Sequence, residues 1–425
     1  MNYKKTFNKM KKLIGTKKII NSIHKSLQFT DEPKFFQYTA FMNNYSKKTS
    51  APFDKEECYG SGLDINEDLA KIKTIGECIE RYCLAIFQNK NFIKEKYTKL
   101  SKETNILNIL DLINFTNKPE EYFSKIKNKK INWSEGYDFL KNRKVLIPSQ
   151  LIYVPYYAKE PTIRLPLSSG AACAESKKEA IYKGICELIE RDSFMIYYLN
   201  KISPEKINLN SIKNKEINEM ISRFKKYFLE VHLLNITTNL KVPSILCILI
   251  DRTGVGPAIS IGAKSDLNIY KAIRGSILEA QHGRTWIRCK MIMGEKIKSS
   301  KEIKSPEDRA LYWANKKQIQ KLDYMINSKK TISIKKVKSK KSNINSNFKD
   351  IIKIIEDKKY NIYYKDITTK KIEDAGFKVI KTIIPQLHPL FLFEECKYLY
   401  SERLKKVPIE LGHNKKLNKE VHPFV

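Results

Sequence analysis

The sequence predicts an α+β fold in which mixed sheets are covered by helices, built from a repeated strand–glycine–helix element. Three observations carry this expectation. The run Glu187-Leu188-Ile189-Glu190-Arg191 returns as Glu77-Cys78-Ile79-Glu80-Arg81, and a looser copy extends from Gly262 through Glu279 to Arg284. Aligned on their first glutamate, the copies place an alanine seven residues earlier each time, at Ala70, Ala180 and Ala272. A glycine falls 15, 17 and 17 residues earlier, at Gly62, Gly170 and Gly262.

In chain order, residues 1–57 read as a basic N-terminal arm holding a short helix, followed by one domain over 58–425. Gly60-Ser61-Gly62 reads as a turn, and an amphipathic helix then runs through Phe87. The polar stretch 91–145 reads as an insertion between repeats. Val145–Pro148 and Leu151–Pro155 read as strands interrupted by prolines. Ile163–Leu167 leads into the second copy, whose helix spans about Lys177 to Leu199 with Ile181, Ile185, Leu188 and Ile189 on its core face. A helix over Ile217–Lys226 and a strand over Glu230–Asn235 follow. The unbroken apolar run Val242–Asp251 is a buried strand, and Ala258–Gly262 is the strand that delivers the third copy. Residues 329–347, rich in lysine, read as a flexible surface loop. Phe377–Pro385 is the last strand. Strand, glycine and amphipathic helix repeated in this way place helices on a sheet.

The chain has 425 residues, 42% hydrophobic and 11% aromatic, enough for a large core. Its formal charge of +34 comes from lysines spread along the whole length, so it gives general attraction to polyanions and no focused patch for specific nucleic-acid binding. The eight cysteines form no CxxC pair and no zinc spacing, which fits a reducing cytoplasm. No stretch of 18 apolar residues is long enough to span a membrane.

Residues at i, i+3 and i+4 share a helix face, so Glu77, Glu80 and Arg81 project together, as do Glu187, Glu190 and Arg191. Like charges at i and i+3 repel unless a cation lies between them. Carboxylates from several helices with arginines among them suit Mg²⁺ and a polyphosphate, because hard oxygens hold the metal and guanidinium forks hold phosphate.

On the segments GSGLDINEDLAKIKTIGECIERY, LPLSSGAACAESKKEAIYKGICELIERD, GPAISIGAKSDLNIYKAIRGSILEAQHGR and the closing IIPQLHPL, the chain resembles the YcaO-domain family. Within it, the chain is similar to the D component of streptolysin-type, azole-forming cyclodehydratases. The resemblance implies a YcaO-type fold, ATP and Mg²⁺ as cofactors, and a nucleotide site at Thr74, Glu77, Glu80 and Arg81, at Glu187, Glu190 and Arg191, and at Glu279, His282 and Arg284. Glu77, Glu80, Glu187 and Glu190 are its implied metal ligands. Threonine replaces the family's serine at Thr74, and His282 takes the place of a glutamine, with Gln281 one position earlier. No catalytic side chain is implied with certainty; the Val425 carboxylate is the one candidate, although Pro423 alone remains of the alternating prolines common in such tails.

The implied reaction is attack by a Cys, Ser or Thr side chain of a precursor peptide on the preceding amide, whose oxygen is phosphorylated by ATP, leaving an azoline. Thioamidation by external sulfide, and a peptide-binding scaffold with a decayed site, are the competing readings. A separate leader-peptide-binding, E1-like protein is expected as a partner, with a homodimer left open.

Overall fold

The computed structural model describes residues 3–43, 59–86, 92–414 and 416–424. Val425, Cys58, Phe87 and residues 44–57 of the expected arm lie outside them. The chain divides into two compact units: Met1–Leu27, Phe36–Leu188 and Ile344–Gln386 form the first, and Gln28–Phe35, Ile189–Asn343 and Leu387–Val425 the second.

In the first unit, Ile20–Lys25, Phe36–Met42 and Tyr59–Asp64 form an antiparallel three-stranded sheet. The first repeat helix, Glu67–Ala85, packs against it, burying Ile75, Cys78, Ile79 and Cys83. A second, antiparallel sheet runs in the order Ile93–Lys96, Lys130–Asp138, Tyr363–Asp366, Lys378–Ile383, Ala171–Ala174, and Arg143–Pro148 also pairs with Lys130–Asp138. The second repeat helix, Lys177–Leu199, starts in this unit and continues beyond Leu188 as part of the other.

The second unit is built on a five-stranded sheet in the order Ile259–Ser265, Ser244–Asp251, Leu229–Asn235, Glu205–Ile207, Thr331–Ile332. Every residue of Ser244–Asp251 is buried, as its unbroken apolar run requires. The third repeat helix, Ile269–Ile292, lies over this strand and Ile259–Ser265.

Several expectations are corrected. Residues 20–42 hold two strands in place of an extended arm; in INSIHK and FQYTAFM the apolar alternation is partial, so the strand period is hard to read. The stretch 91–145, expected as a polar insertion between repeats, contributes to three strands of the six-stranded sheet and buries Trp133 fully, so it is part of the core. Leu151–Pro155 forms no strand. Residues 329–347 are ordered as well: Thr331–Ile332 adds a parallel edge to Glu205–Ile207, and Ile334 is buried.

Gly60-Ser61-Gly62 is strand and not turn, and its geometry resets the repeat register. A Cβ on Gly60 would stand 2.6 Å from the Cys78 backbone nitrogen and 2.9 Å from the Thr74 carbonyl. On Gly262 it would stand 2.3 Å from the Ala280 nitrogen and 2.5 Å from the Ser276 carbonyl. These pairs are equivalent, so Gly60 and not Gly62 is the counterpart of Gly262, and the glycine falls 17 residues before the glutamate in all three copies. At Gly60 and Gly262 its task is to let strand and helix backbones touch, whereas a Cβ on Gly170 would stand 2.3 Å from the Thr382 carbonyl oxygen.

The rest of the frame has the same logic. Eleven residues before each glutamate stands an N-cap, Asn66, Ser176 or Asn268, whose side-chain oxygen accepts the backbone N–H of Leu69, Glu179 or Lys271. The cap carbonyl accepts the first helical bond, from Ala70, Ala180 and Ala272 respectively. All three alanines are fully buried, which explains their small size.

Candidate functional site

Each repeat holds its first glutamate against the strand that precedes it. The Ser61 backbone N–H donates to Glu77 at 2.5 Å, and Arg81, one turn on, pairs with the same carboxylate at 2.9 Å. The Gly170 backbone N–H donates to Glu187 at 3.2 Å, from a left-handed conformation (φ +84°) that favours glycine. In the third copy a strand side chain does this work, Lys264 reaching Glu279 at 3.3 Å. Hydrogen bonds to an ionised carboxylate are the stronger kind, so these contacts fix each group in place.

Within the first unit, Glu77, Glu80, Glu187 and Lys381 form one electrostatic cluster. Desolvation holds the Glu80 carboxyl well above the usual carboxylate range, and the neighbouring Glu187 and Glu77 charges push it further. Lys381 is buried, and desolvation brings its ammonium down to about 8 although Glu187 and Glu80 favour its charged form. Three carboxylates gathered on a poorly solvated face are unfavourable alone and call for a cation.

A cavity of about 270 Å³ opens beside this cluster, lined by Glu77, Glu80, Lys73, Lys183, Gly76 and Phe377 among others. The mix of carboxylates, amines and an aromatic face suits a ligand with charged and flat apolar parts. The helix Tyr3–Lys11 contributes Thr6 and Met10 to its wall and is tied down by Lys9, which pairs with Glu175 at 2.8 Å.

In the second unit, Lys264 bridges two repeats: its ammonium lies 3.5 Å from Glu190 and 3.3 Å from Glu279. Glu190 is fully buried and also meets Arg191 at 3.1 Å. The Arg191 guanidinium stacks on the Phe424 ring at 4.4 Å. His282 shares the half-exposed side of its helix with Glu279, while Gln281 is buried and donates to Thr285 at 3.3 Å.

Two residues expected in the site are engaged elsewhere. Thr74 is fully buried and donates to the Ala70 carbonyl at 2.8 Å and the Tyr38 carbonyl at 3.2 Å. It occupies the position three before the glutamate, held by Gly184 and Ser276 in the other copies, where the helix meets the strand. Arg284 is buried and donates to Glu32 at 2.8 Å, Asp251 at 2.7 Å and the Pro257 carbonyl at 2.9 Å. Its guanidinium is bound into the fold of the second unit. Reasoning from the sequence missed Lys264 and Lys381, each on a strand and without a motif of its own; their only signal is a charge inside an apolar strand run.

The family model described as YcaO cyclodehydratase, ATP- and Mg²⁺-binding, matches residues 61–388. The chain belongs to the YcaO family. This YcaO chain shares 27% identity over 127 residues with an uncharacterized protein in the tfuA 3' region of Rhizobium leguminosarum bv. trifolii, covering 29% of this chain and 30% of the relative. It shares 22% over 157 residues with an uncharacterized protein of Methanothermobacter thermautotrophicus, 36% and 41% of the two chains. The chain thus spans less than half the length of these curated relatives.

Among solved structures, a heterocyclase in complex with substrate and cofactor aligns over 100% of this chain and 57% of its own, with a TM-score of 0.80 at 18% identity. YcaO from Methanopyrus kandleri bound with AMPPCP and Mg²⁺ aligns over 95% of both chains, with a TM-score of 0.67 at 13% identity. A chain of the E. coli microcin synthetase McbBCD complex aligns over 86% of this chain and 88% of its own, with a TM-score of 0.58 at 14% identity. These likenesses establish the shared fold.

The residues present fit the family's ATP and Mg²⁺. Among the described residues, no three His, Cys, Asp or Glu side chains already close on a metal-sized point. Mg²⁺ is commonly held by one or two carboxylates with phosphates and waters completing the octahedron, so a ready-made protein cage is not required. Burial, and then the charges of Glu187 and Glu77, push the Glu80 carboxyl up, so a cation beside it would be stabilising.

Proposed function

We propose that this YcaO chain uses ATP to activate backbone amides of a peptide, with azoline formation from Cys, Ser or Thr as the outcome. The observation that carries the reading is the gathering of Glu77, Glu80 and Glu187 around a poorly solvated face beside an open cavity. That is a place for a metal-bound polyphosphate, and YcaO membership supplies the chemistry. The cavity takes the nucleotide, with Lys73 and Lys183, paired with Asp64 and Glu179, in its lining. Bound Mg²⁺ would supply charge neutralisation on the phosphates, with Glu77, Glu80 and Glu187 of the first unit as its holders and Glu190 a candidate tested separately.

The peptide nucleophile, a thiol or hydroxyl, adds to the preceding amide carbon. The amide oxygen takes the γ-phosphoryl group of ATP, ADP departs, and loss of phosphate with the amide proton leaves the C=N bond of the ring. Arg81 and Arg191 stabilise charge that grows on the phosphoryl group, a matter of fixed positive charge more than of proton transfer. A separate protein presents the peptide leader to this chain.

The test is mass spectrometry of a Cys/Ser/Thr-rich precursor peptide incubated with this chain, its presenting partner and Mg·ATP. Loss of one water per ring is expected. Oxygen-to-sulfur exchange in the presence of sulfide would replace the azoline reading with thioamidation, and absence of ATP binding would leave a peptide scaffold.

Gly76 offers a direct probe of the cavity. It lines the wall from mid-helix, and a Cβ placed there meets nothing within 4 Å. Gly76→Ala should raise stability by about 0.5–1 kcal/mol, the usual gain for removing a helix-interior glycine. Gly76→Leu should fold normally while weakening ATP binding roughly 10-fold or more by filling the space. Urea denaturation and calorimetry read the two effects separately, and unchanged ATP affinity in Gly76→Leu would move the nucleoside elsewhere.

A further inference from the structure

We propose that Lys381 is a positioning residue for the metal-binding carboxylates of the first unit, acting as their built-in counter-cation when no metal is bound. The inference rests on Glu80 and Glu187 being metal ligands, as above. Lys381 lies in the strand Lys378–Ile383, opposite Ala171 of the strand that begins the second repeat. It is 3% exposed, in a strand whose inner residues are otherwise apolar or Thr382, and a buried amine is tolerated only with close partners.

The partners are specific. The ammonium donates to the Leu167 carbonyl at 2.5 Å and the Ser169 carbonyl at 2.7 Å. These bonds turn two carbonyls of the segment before Gly170 toward the strand, while the Thr382 backbone N–H donates to the Gly170 carbonyl at 2.8 Å. Gly170 is then left with its own N–H directed at Glu187. Lys381 thus fixes the backbone that presents Glu187, and its charge lies within electrostatic reach of both Glu187 and Glu80.

A fixed cation here solves a problem peculiar to the metal-free protein. Without it, Arg81, paired with Glu77, would be left to offset the repulsion among Glu77, Glu80 and Glu187, and the second strand–helix junction would splay from the first. With it, the carboxylates stay aimed, and an arriving metal finds them in place.

The experiment compares thermal unfolding of wild type, Lys381→Met, Lys381→Arg and the double variant Glu80→Gln/Lys381→Met, each without metal and with saturating Mg²⁺. Lys381→Met is expected to melt roughly 5–10 °C lower than wild type without metal. Mg²⁺ should raise its Tm by more than it raises that of wild type, because the metal then supplies the missing charge. Lys381→Arg should lie closer to wild type. Removing one repelling carboxylate in the double variant should restore most of the metal-free loss.

A double variant no more stable than Lys381→Met would overturn the proposal, and so would equal losses with and without metal, which mark a purely structural lysine. If Lys381→Met fails to fold, recovery of a folded protein in the double variant still decides in favour. If Mg²⁺ shifts none of the four proteins, the metal assignment of Glu80 and Glu187 falls, and the proposal that rests on it falls too.

Discussion

Glu190→Gln should weaken Mg·ATP binding on the order of 100-fold while leaving the circular-dichroism spectrum native. Glutamine keeps the shape of the side chain and removes its charge, so the loss reports electrostatics and not a cavity. Glu190 is the most enclosed carboxylate of the repeats, fully buried between the Arg191 guanidinium at 3.1 Å and the Lys264 ammonium at 3.5 Å. A buried carboxylate with cations on two sides is costly to keep for stability alone, because burial penalises ions and an apolar substitute often serves as well. Loss of the charge leaves the Arg191 guanidinium without its carboxylate, so the metal-free variant should also lose stability, and binding is compared at a temperature where both proteins are folded. Calorimetric titration with Mg·ATP is the measurement, and unchanged affinity would remove Glu190 from the metal set.

Arg403→Ala should be the most destabilising substitution in the second unit, at about 3–5 kcal/mol, since it strands a buried carboxylate. Asp192 is fully buried; Arg403 donates to it through Nε at 2.6 Å and Nη2 at 2.5 Å, and the His388 backbone N–H donates at 2.8 Å. Arg403 also donates to Asn239 at 3.1 Å. The pair ties the second repeat helix to the segment beyond Leu387, two residues past Glu190. Urea denaturation should show the lowered midpoint. The double variant Asp192→Leu/Arg403→Ala should recover part of the loss, because no charge is then left unpaired; a double variant that is worse by the sum of both singles would show that shape and not charge dominates.

The repeat itself was legible from the sequence because it is written in residue types with narrow tolerances. Alanine and glutamate recur at fixed offsets in all three copies and arginine four residues after the glutamate in the first two, and the second repeat helix was bounded at about Lys177 and Leu199, as the structure has it. The glycine register was not, because Gly60 and Gly62 are both present and only the distance to the Cys78 nitrogen separates them. The ion partners were also hidden. Lys264 meets Glu190 across 74 positions of sequence, and Glu32 meets Arg284 across 252, and no local period encodes such pairings. The place of Thr74 was hidden too: its hydroxyl matched a motif, and the structure sets it against the Ala70 and Tyr38 carbonyls.

The contact between Gly262 and the Ala280 nitrogen, and its twin at Gly60 and Cys78, acts as a mechanical stop. A helix lying on side chains can slide or roll by fractions of an ångström as those side chains change rotamer. A helix seated on bare backbone has no such slack, and each residue of slippage would also swing it through about 100°. The height and bearing of the helices that carry Glu77 and Glu279 are therefore set, at these two points, by main-chain contact. Substitutions in the apolar core around them can alter stability without re-aiming the carboxylates, so the precision of the site and the stability of the fold are free to vary separately.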